Sequence, residues 1–504
     1  MKKNNQIKVG AILSYLSIIF NIIAGLIYTP WMIRQIGQSD YGLYTLAISV
    51  ISYFTLDFGF GGAISKFIAQ FRAEKRDGEI SNLLGLVYKF YFVIDLLILV
   101  ALVVVYCFVE NIFVNLSANE LIKFKNIFAI VGVFTLISFP CTTFNGILIA
   151  HEKFVVLKVC DLLSKALIIL LIVTALMLGR GLYAIVIVNT GVQLLINMIK
   201  FVSIKRTMTQ KINFRYFSKD MLKMIFSFSI WMTIMGIAQR FIMNITPSVL
   251  GITAGAVAIS VFSIGRTIEG YVFTFANALN SLFLPKVSNM VAANVSRDEI
   301  THLMIRVGRI QLMIVGAVIT IFISMGQEFI FLWLGESFRE SYWVTVYLIL
   351  PSIVTLTQDI GITLLVVENE IKYRTYFYVL AAVISVILSF ILSKIYGAIG
   401  SAIGIFTATI VGHIIGMNWV FKRKMNLNMG KFYKQCHLKA IPIFVVVLVS
   451  GILLQHIWIT NFMALYVLKV CVIGVEYLLL MWFFYMNSEE KRLVLDTING
   501  VLKR

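Results

Sequence analysis

Long apolar runs separated by short polar breaks set the rhythm of this chain. "LSIIFNIIAGLIY" (Leu16 to Tyr28) gives way to "RQIGQSD" (Arg34 to Asp40), and the alternation continues to the C-terminal end. A bilayer core of roughly 30 Å needs about 20 apolar residues per spanning helix. Runs of that length predict an all-α integral membrane protein with about fourteen transmembrane helices. They lie near 9–33, 41–66, 82–108, 126–150, 154–178, 181–203, 222–245, 251–281, 303–325, 344–367, 373–394, 396–420, 440–460 and 463–486. The outer loops are short, and the tail "SEEKRLVLDTINGVLKR" reads as an amphipathic helix at the cytoplasmic interface.

The runs also repeat. "AISV" (Ala47 to Val50) returns at Ala258 to Val261, and "ENIFVNL" (Glu110 to Leu116) is echoed by "EFIFLWL" (Glu328 to Leu334). Pro30 has a counterpart in Pro247, and Pro140 in Pro351, at an offset of about 215 residues. That is the size of a six-helix half. An even number of helices makes two parallel repeats, with two C-terminal helices left over. The expected organisation is a lobe over 1–210, a second over 211–430, two further helices over 431–486 and a cytoplasmic tail over 487–504. Prolines at matching places bend matching helices, which suits lobes that rock about a shared cavity.

Composition agrees with a bilayer setting. Of the 504 residues, 60% are hydrophobic and 13% charged, and the mean hydropathy is +0.92. The formal charge of +19 is not a nucleic-acid signal, because the basic residues gather in alternate loops. Arg72, Lys75 and Arg76 form one group, Lys205, Arg206 and Lys211 another, and Lys422, Arg423 and Lys424 a third. Lys and Arg mark the cytoplasmic side, so both termini are expected inside. The five cysteines are isolated, with no metal or redox spacing. There is no P-loop and no room for a soluble catalytic domain. A non-enzyme without cofactor or metal is expected.

Charges inside the apolar runs are the candidate chemistry. Each costs about 2.5–3.5 kcal/mol on insertion scales unless a partner or water compensates it. In "FSIGRTIEGYVF" (Phe262 to Phe273), Arg266 and Glu269 are the only charges between Ala254 and Phe275. They lie one turn apart on one side of a helix. Two readings stand: a local pair that neutralises itself, or a water-filled cavity where Arg266 meets an anionic substrate. Arg34, Asp57, Lys66, Lys89, Asp95 and Arg240 complete the set of cavity candidates. Arg34 is also placed to snorkel. Arg306 and Arg309 read as interfacial anchors, and Asp161 with Lys165 as a structural i,i+4 pair. Asp359, Lys469 and Glu476 have no assigned role.

The stretch "YTPWMIRQIGQSDYGLYTLAISVISYFTLDFGFGGAISKFIAQ" (Tyr28 to Gln70) resembles the first two helices of Wzx-type polysaccharide-unit exporters. These belong to the multidrug/oligosaccharidyl-lipid/polysaccharide (MOP) exporter superfamily. The opening "G…YG.Y" and the small-residue-rich helix after it carry the likeness, and helix count, repeat and loop pattern extend it. The resemblance implies a MATE-like, two-lobed flippase in a bacterial cytoplasmic membrane. Its substrate would be an undecaprenyl-pyrophosphate-linked oligosaccharide repeat unit for surface polysaccharide such as O-antigen, capsule or exopolysaccharide. A polysaccharide polymerase and a chain-length regulator would be partners, and a proton or sodium ion would couple transport. Arg34, Lys66, Arg240 and Arg266 match by position the helices thought to hold the anionic head group. A multidrug or cation antiporter, a peptidoglycan-precursor flippase and, from another class, a membrane polysaccharide polymerase are the alternatives.

Overall fold

The structure is a computed structural model that describes residues 3–54, 60–207, 212–277, 283–457 and 463–502. Among these, all regular secondary structure is helical. In chain order the α-helices begin α1 Lys3–Ile36, α2 Gln38–Phe54, α3 Phe60–Ala73, α4 Asp77–Ile112, α5 Ala118–Ser138, α6 Thr143–Ala150 and α7 Phe154–Met177. They continue as α8 Gly181–Thr207, α9 Lys219–Thr253, α10 Gly255–Asn277, α11 Leu284–Ala292, α12 Arg297–Leu334, α13 Ser341–Ile349 and α14 Ser352–Thr355. The last are α15 Asp359–Val367, α16 Ile371–Thr409, α17 Met417–Arg423, α18 Met429–Cys436, α19 Ile441–Ile457, α20 Met463–Leu480 and α21 Ser488–Leu502.

Ten stretches among the described residues are long and apolar enough to cross a membrane, where the hydropathy reading expects fourteen. One of them, Ile371–Arg423, covers two expected helices that meet at a kink, Gly397, whose φ is +54°. The expected spans near 9–33, 41–66 and 222–245 correspond to α1, α2 with α3, and α9. These lie outside the ten stretches counted among the described residues. The chain is thus a multi-pass membrane protein. Helix α4 illustrates the solvent it is built for: Val93, Leu96, Leu97, Val100, Val103 and Val104 are all exposed along one face. In water such a face would be an aggregation site; in lipid it costs nothing.

Two compact units divide the chain. The first contains Met1–Ser263 and Thr375–Ala408. In it, α2 packs on α5 and α9, and α7 on α1 and α8. The buried stripe Leu43, Leu46, Ala47, Val50 and Ile51 follows the spacing of one helix face. The motif glycines have structural reasons. Gly37 ends α1 with φ +86°, a left-handed cap that favours glycine. At Gly42 a Cβ would run into the carbonyl of Ala256. Asp40, between them, accepts from Lys123 Nζ at 2.7 Å and ties the start of α2 to α5.

The second unit contains Ile264–Arg374 and Thr409–Arg504. Helix α12, 38 residues long, is its centre and packs on α18, α19 and α20. Gly308 and Gly316 let neighbours close on it: a Cβ at Gly316 would press on the ring of Phe444, and one at Gly308 on the carbonyl of Thr357.

Helix breaks recur along the chain. Pro30 and Pro247 lie inside α1 and α9. Pro140 lies in a 3₁₀ turn at Phe139–Thr142, and Pro351 caps the short α14 ahead of a second 3₁₀ turn at Leu356–Gln358. Left-handed backbone positions repeat as well. Gly37 pairs with Gly255, Lys75 with Asn294, Glu152 with Asn369 and Gly179 with Gly397, each pair about 218 residues apart.

Candidate functional site

In the first unit the polar groups gather on the α2–α9 seam. Arg240, Asn244 and Ser248 are spaced four apart on α9, so they share a face. Ser49, Ser52 and Tyr53 meet them from α2. Arg240 Nη1 donates to the Ser52 carbonyl at 2.7 Å. Asn244 Nδ2 donates to Ser52 Oγ at 2.8 Å. The Tyr53 hydroxyl donates to the Asn244 carbonyl at 2.7 Å and lies 2.9 Å from Ser248 Oγ. Ser49 Oγ donates to the same carbonyl. Pro247 interrupts α9 on this stretch; the N–H it lacks is the one that would reach the Met243 carbonyl, four residues earlier.

The remaining first-unit candidates are dispersed. Arg34 is exposed in the last turn of α1. Lys66 is exposed on α3, with its ammonium 5.5 Å from the Phe67 ring. Lys89 donates to the Tyr216 carbonyl at 3.1 Å. With Asn213, whose N–H donates to the Ser81 carbonyl at 3.1 Å, it clamps the segment before α9 onto α4. Asp95 is half-buried, and its Oδ1 is buried with no hydrogen-bond partner. Asp57 lies outside the described residues.

In the second unit, Arg266 Nη1 donates to Glu269 Oε2 across one turn of α10. Glu269 is buried, with 5% of its side chain accessible, whereas Arg266 keeps 30%. The carboxylate is therefore sequestered, and the guanidinium keeps the larger accessible surface of the two. These two candidates are in direct contact.

Two interactions correct the sequence reading. Arg309 is a buried lock rather than an interfacial anchor. Its Nε and Nη2 donate to the Glu490 carboxylate at 2.6 and 2.8 Å, Nη1 to the Gln435 carbonyl at 2.9 Å, and Nη2 also to the Tyr485 carbonyl at 2.6 Å. Its guanidinium also stacks 4.0 Å from the Tyr485 ring centroid. The C-terminal helix α21 is thereby bolted to α12. Asp161 pairs with Lys158 at 3.6 Å, three positions before it, rather than with Lys165. Lys158 and Asp161 lie three apart on α7 and so share a face.

Sequence reasoning left other partners unassigned. Lys469 is fully buried and donates to both oxygens of Glu328 at 2.9 and 3.0 Å, joining α20 to α12. Glu476 accepts from Ser450 at 2.7 Å, and Asp359 accepts from Gln311 at 3.3 Å. A lone lysine and a lone glutamate in separate apolar runs were the available signal. The four-residue spacing of Arg240, Asn244 and Ser248 was the signal for the seam.

A sequence profile of the family described as "Polysaccharide biosynthesis protein" matches residues 7–291. No curated protein sequence matches the chain. Among solved structures, the fold is similar to a lipid II flippase MurJ in an inward closed conformation, with TM-score 0.68 and 16% identity over 95% of this chain and 98% of that one. It is similar to an inward-facing multidrug resistance MATE family transporter of the MOP superfamily, with TM-score 0.66 and 15% identity over 86% and 99%. A MOP superfamily transporter from Pyrococcus furiosus gives TM-score 0.58 and 15% identity over 83% and 94%. These structural neighbours are a flippase and transporters. The chain belongs to the polysaccharide biosynthesis protein family and carries the fold of the MOP-superfamily flippases and transporters.

Proposed function

We propose that this protein flips an undecaprenyl-pyrophosphate-linked oligosaccharide repeat unit across a bacterial cytoplasmic membrane by alternating access. The observation that carries the reading is the partly exposed guanidinium of Arg266 in an apolar span, with its carboxylate partner buried. A sugar-pyrophosphate head cannot cross hydrocarbon unaided, while its lipid tail stays in the bilayer. Arginine suits pyrophosphate because its planar fork donates paired hydrogen bonds. Membership of a polysaccharide biosynthesis family supports the saccharide part of the substrate.

The repeating left-handed positions and prolines support a division into lobes at 1–210 and 211–430, followed by helices over 431–486 and a tail over 487–504. The alternating basic loops support cytoplasmic termini. Asp95, with an unpartnered buried oxygen, is the group assigned to the coupling ion, proton or sodium. Arg34, Lys66, Arg240 and Lys89 remain secondary candidates for the anionic path, and Asp57 joins them by position. A peptidoglycan-precursor flippase is the second reading, favoured by the likeness to MurJ along 95% of the chain.

Deleting the gene tests the proposal. Surface polysaccharide should be lost while lipid-linked repeat units still form and accumulate on the cytoplasmic face. Normal polysaccharide with raised sensitivity to cationic drugs would favour a multidrug antiporter. Arrested cell-wall synthesis would favour the second reading.

A further inference from the structure

Within the second unit, α11, the first turns of α12, the turn before α19 and the start of α21 enclose a hollow of about 650 Å³. Three cations reach it from three elements: Lys286 on α11, Arg306 on α12 and Lys439 just before α19. Among the described residues, no hydrogen bond or ion pair engages their head groups, and all three are exposed. Arg309 and Glu490 also line the hollow but neutralise each other. His302 lies one turn from Arg306, its Nε2 2.8 Å from Lys431 Nζ. Two carboxylates, Glu299 and Glu489, share the lining, so unengaged cations outnumber unengaged acids.

The place of the hollow says what fills it. The spans that begin at Arg297 and Met429 both start beside it, so it lies where helices leave hydrocarbon for headgroups. Basic pockets at that level, between membrane helices, bind anionic lipid heads. We propose that the hollow binds the headgroup of an anionic glycerophospholipid of the phosphatidylglycerol type. Lys286, Arg306 and Lys439 hold the phosphate. Glu299 and Glu489 accept hydrogen bonds from the glycerol hydroxyls, which gives the acids a role that a bare phosphate would not. This site is separate from the Arg266–Glu269 pair and does not depend on what the protein transports.

The test is native mass spectrometry of the full detergent-solubilised chain titrated with phosphatidylglycerol, phosphatidylcholine or glycerol 3-phosphate. Phosphatidylglycerol should bind more tightly than either competitor. Lys286→Gln, Arg306→Gln and Lys439→Gln should each weaken it on the order of fivefold, and the triple variant should weaken it most. Arg306→Lys should keep most of the affinity. A control triple, Lys205→Gln with Arg206→Gln and Lys219→Gln, should bind as the unaltered chain does. Should the triple variant fold poorly, as read by size-exclusion elution, the single variants carry the test. Undiminished phosphatidylglycerol binding in the variants would overturn the proposal, as would equal binding of phosphatidylcholine. Glycerol 3-phosphate binding as tightly as the lipid would reassign the hollow to a soluble phosphate.

Discussion

The first compact unit joins α2 to α9 mainly through hydroxyl, amide and backbone groups, with the cation Arg240 among them. The second joins its helices through buried ion pairs, Lys469–Glu328 between α20 and α12 and Arg309–Glu490 between α12 and α21. The difference lies in what happens when a partner is lost. Membrane hydrogen bonds between helices average about 0.6 kcal/mol and reach about 1.7. A buried pair broken on one side strands a charge at about 3–5 kcal/mol. A seam of small contributions tolerates rearrangement, whereas a bolted unit holds one arrangement or fails. The first kind suits an interface that changes during transport; the second suits the fixed parts.

The sharpest way to break the comparison is at Lys469, which is fully buried. Lys469→Met leaves Glu328 without its cation and should cost about 3–5 kcal/mol, read as loss of membrane abundance and of thermal stability in detergent. Lys469→Met with Glu328→Leu should recover most of both, because an apolar replacement for a buried pair is often neutral or better. A well-behaved single variant would show that the second unit is not bolted at this point.

Glu490→Ala comes next. Arg309 keeps the Gln435 and Tyr485 carbonyls and the Tyr485 ring, so the loss should be smaller, about 1.5–3 kcal/mol for a charged hydrogen-bond partner. Helix α21 should be released, and limited proteolysis should cut within 488–502 far faster than in the unaltered chain.

Gly42→Ala then probes the first unit by volume rather than by polarity. The new methyl meets the backbone of Ala256, which cannot rotate away as a side chain can. Overpacking of this kind costs about 1–3 kcal/mol, and detergent melting temperatures should fall accordingly. Asn244→Ala should have the smallest effect, about 1 kcal/mol or less, with abundance nearly unchanged. A loss as large as that of Lys469→Met would erase the distinction between the units.

Much of the architecture was legible before the structure. Apolar runs alone indicate a multi-pass helical protein, and the stretch Tyr28–Gln70 points to the family that the profile match establishes. The "YG" of that stretch was readable as a motif. Its cause, the carbonyl of Ala256 more than two hundred residues away, was not. Charges paired within one helix could be read, since Arg266 and Glu269 lie three apart. Charges paired across helices could not. Periodicity says which residues share a face and nothing about which face meets which, so Lys469 stayed without Glu328, and Arg309 looked like an anchor. Asp161 had basic neighbours at i−3 and i+4, and spacing alone did not choose between them. Proline positions were visible in the sequence, but the hydroxyl groups of α2 that supply the Asn244 carbonyl beside Pro247 needed the fold.

The central claim is that Arg266 holds an anionic head group and is not there only to neutralise Glu269. The direct measurement is flipping of a polyprenyl-pyrophosphate-linked oligosaccharide in proteoliposomes, with protein content matched. The set is the unaltered chain, Arg266→Ala, Arg266→Lys, and Arg266→Ala with Glu269→Ala. Arg266→Ala strands a buried carboxylate and should lower abundance by itself. The double variant removes that penalty. The account predicts that it returns to normal abundance yet does not flip, while lysine restores part of the activity because it keeps the charge but loses the paired donors. Full flipping by a well-folded double variant would contradict the account.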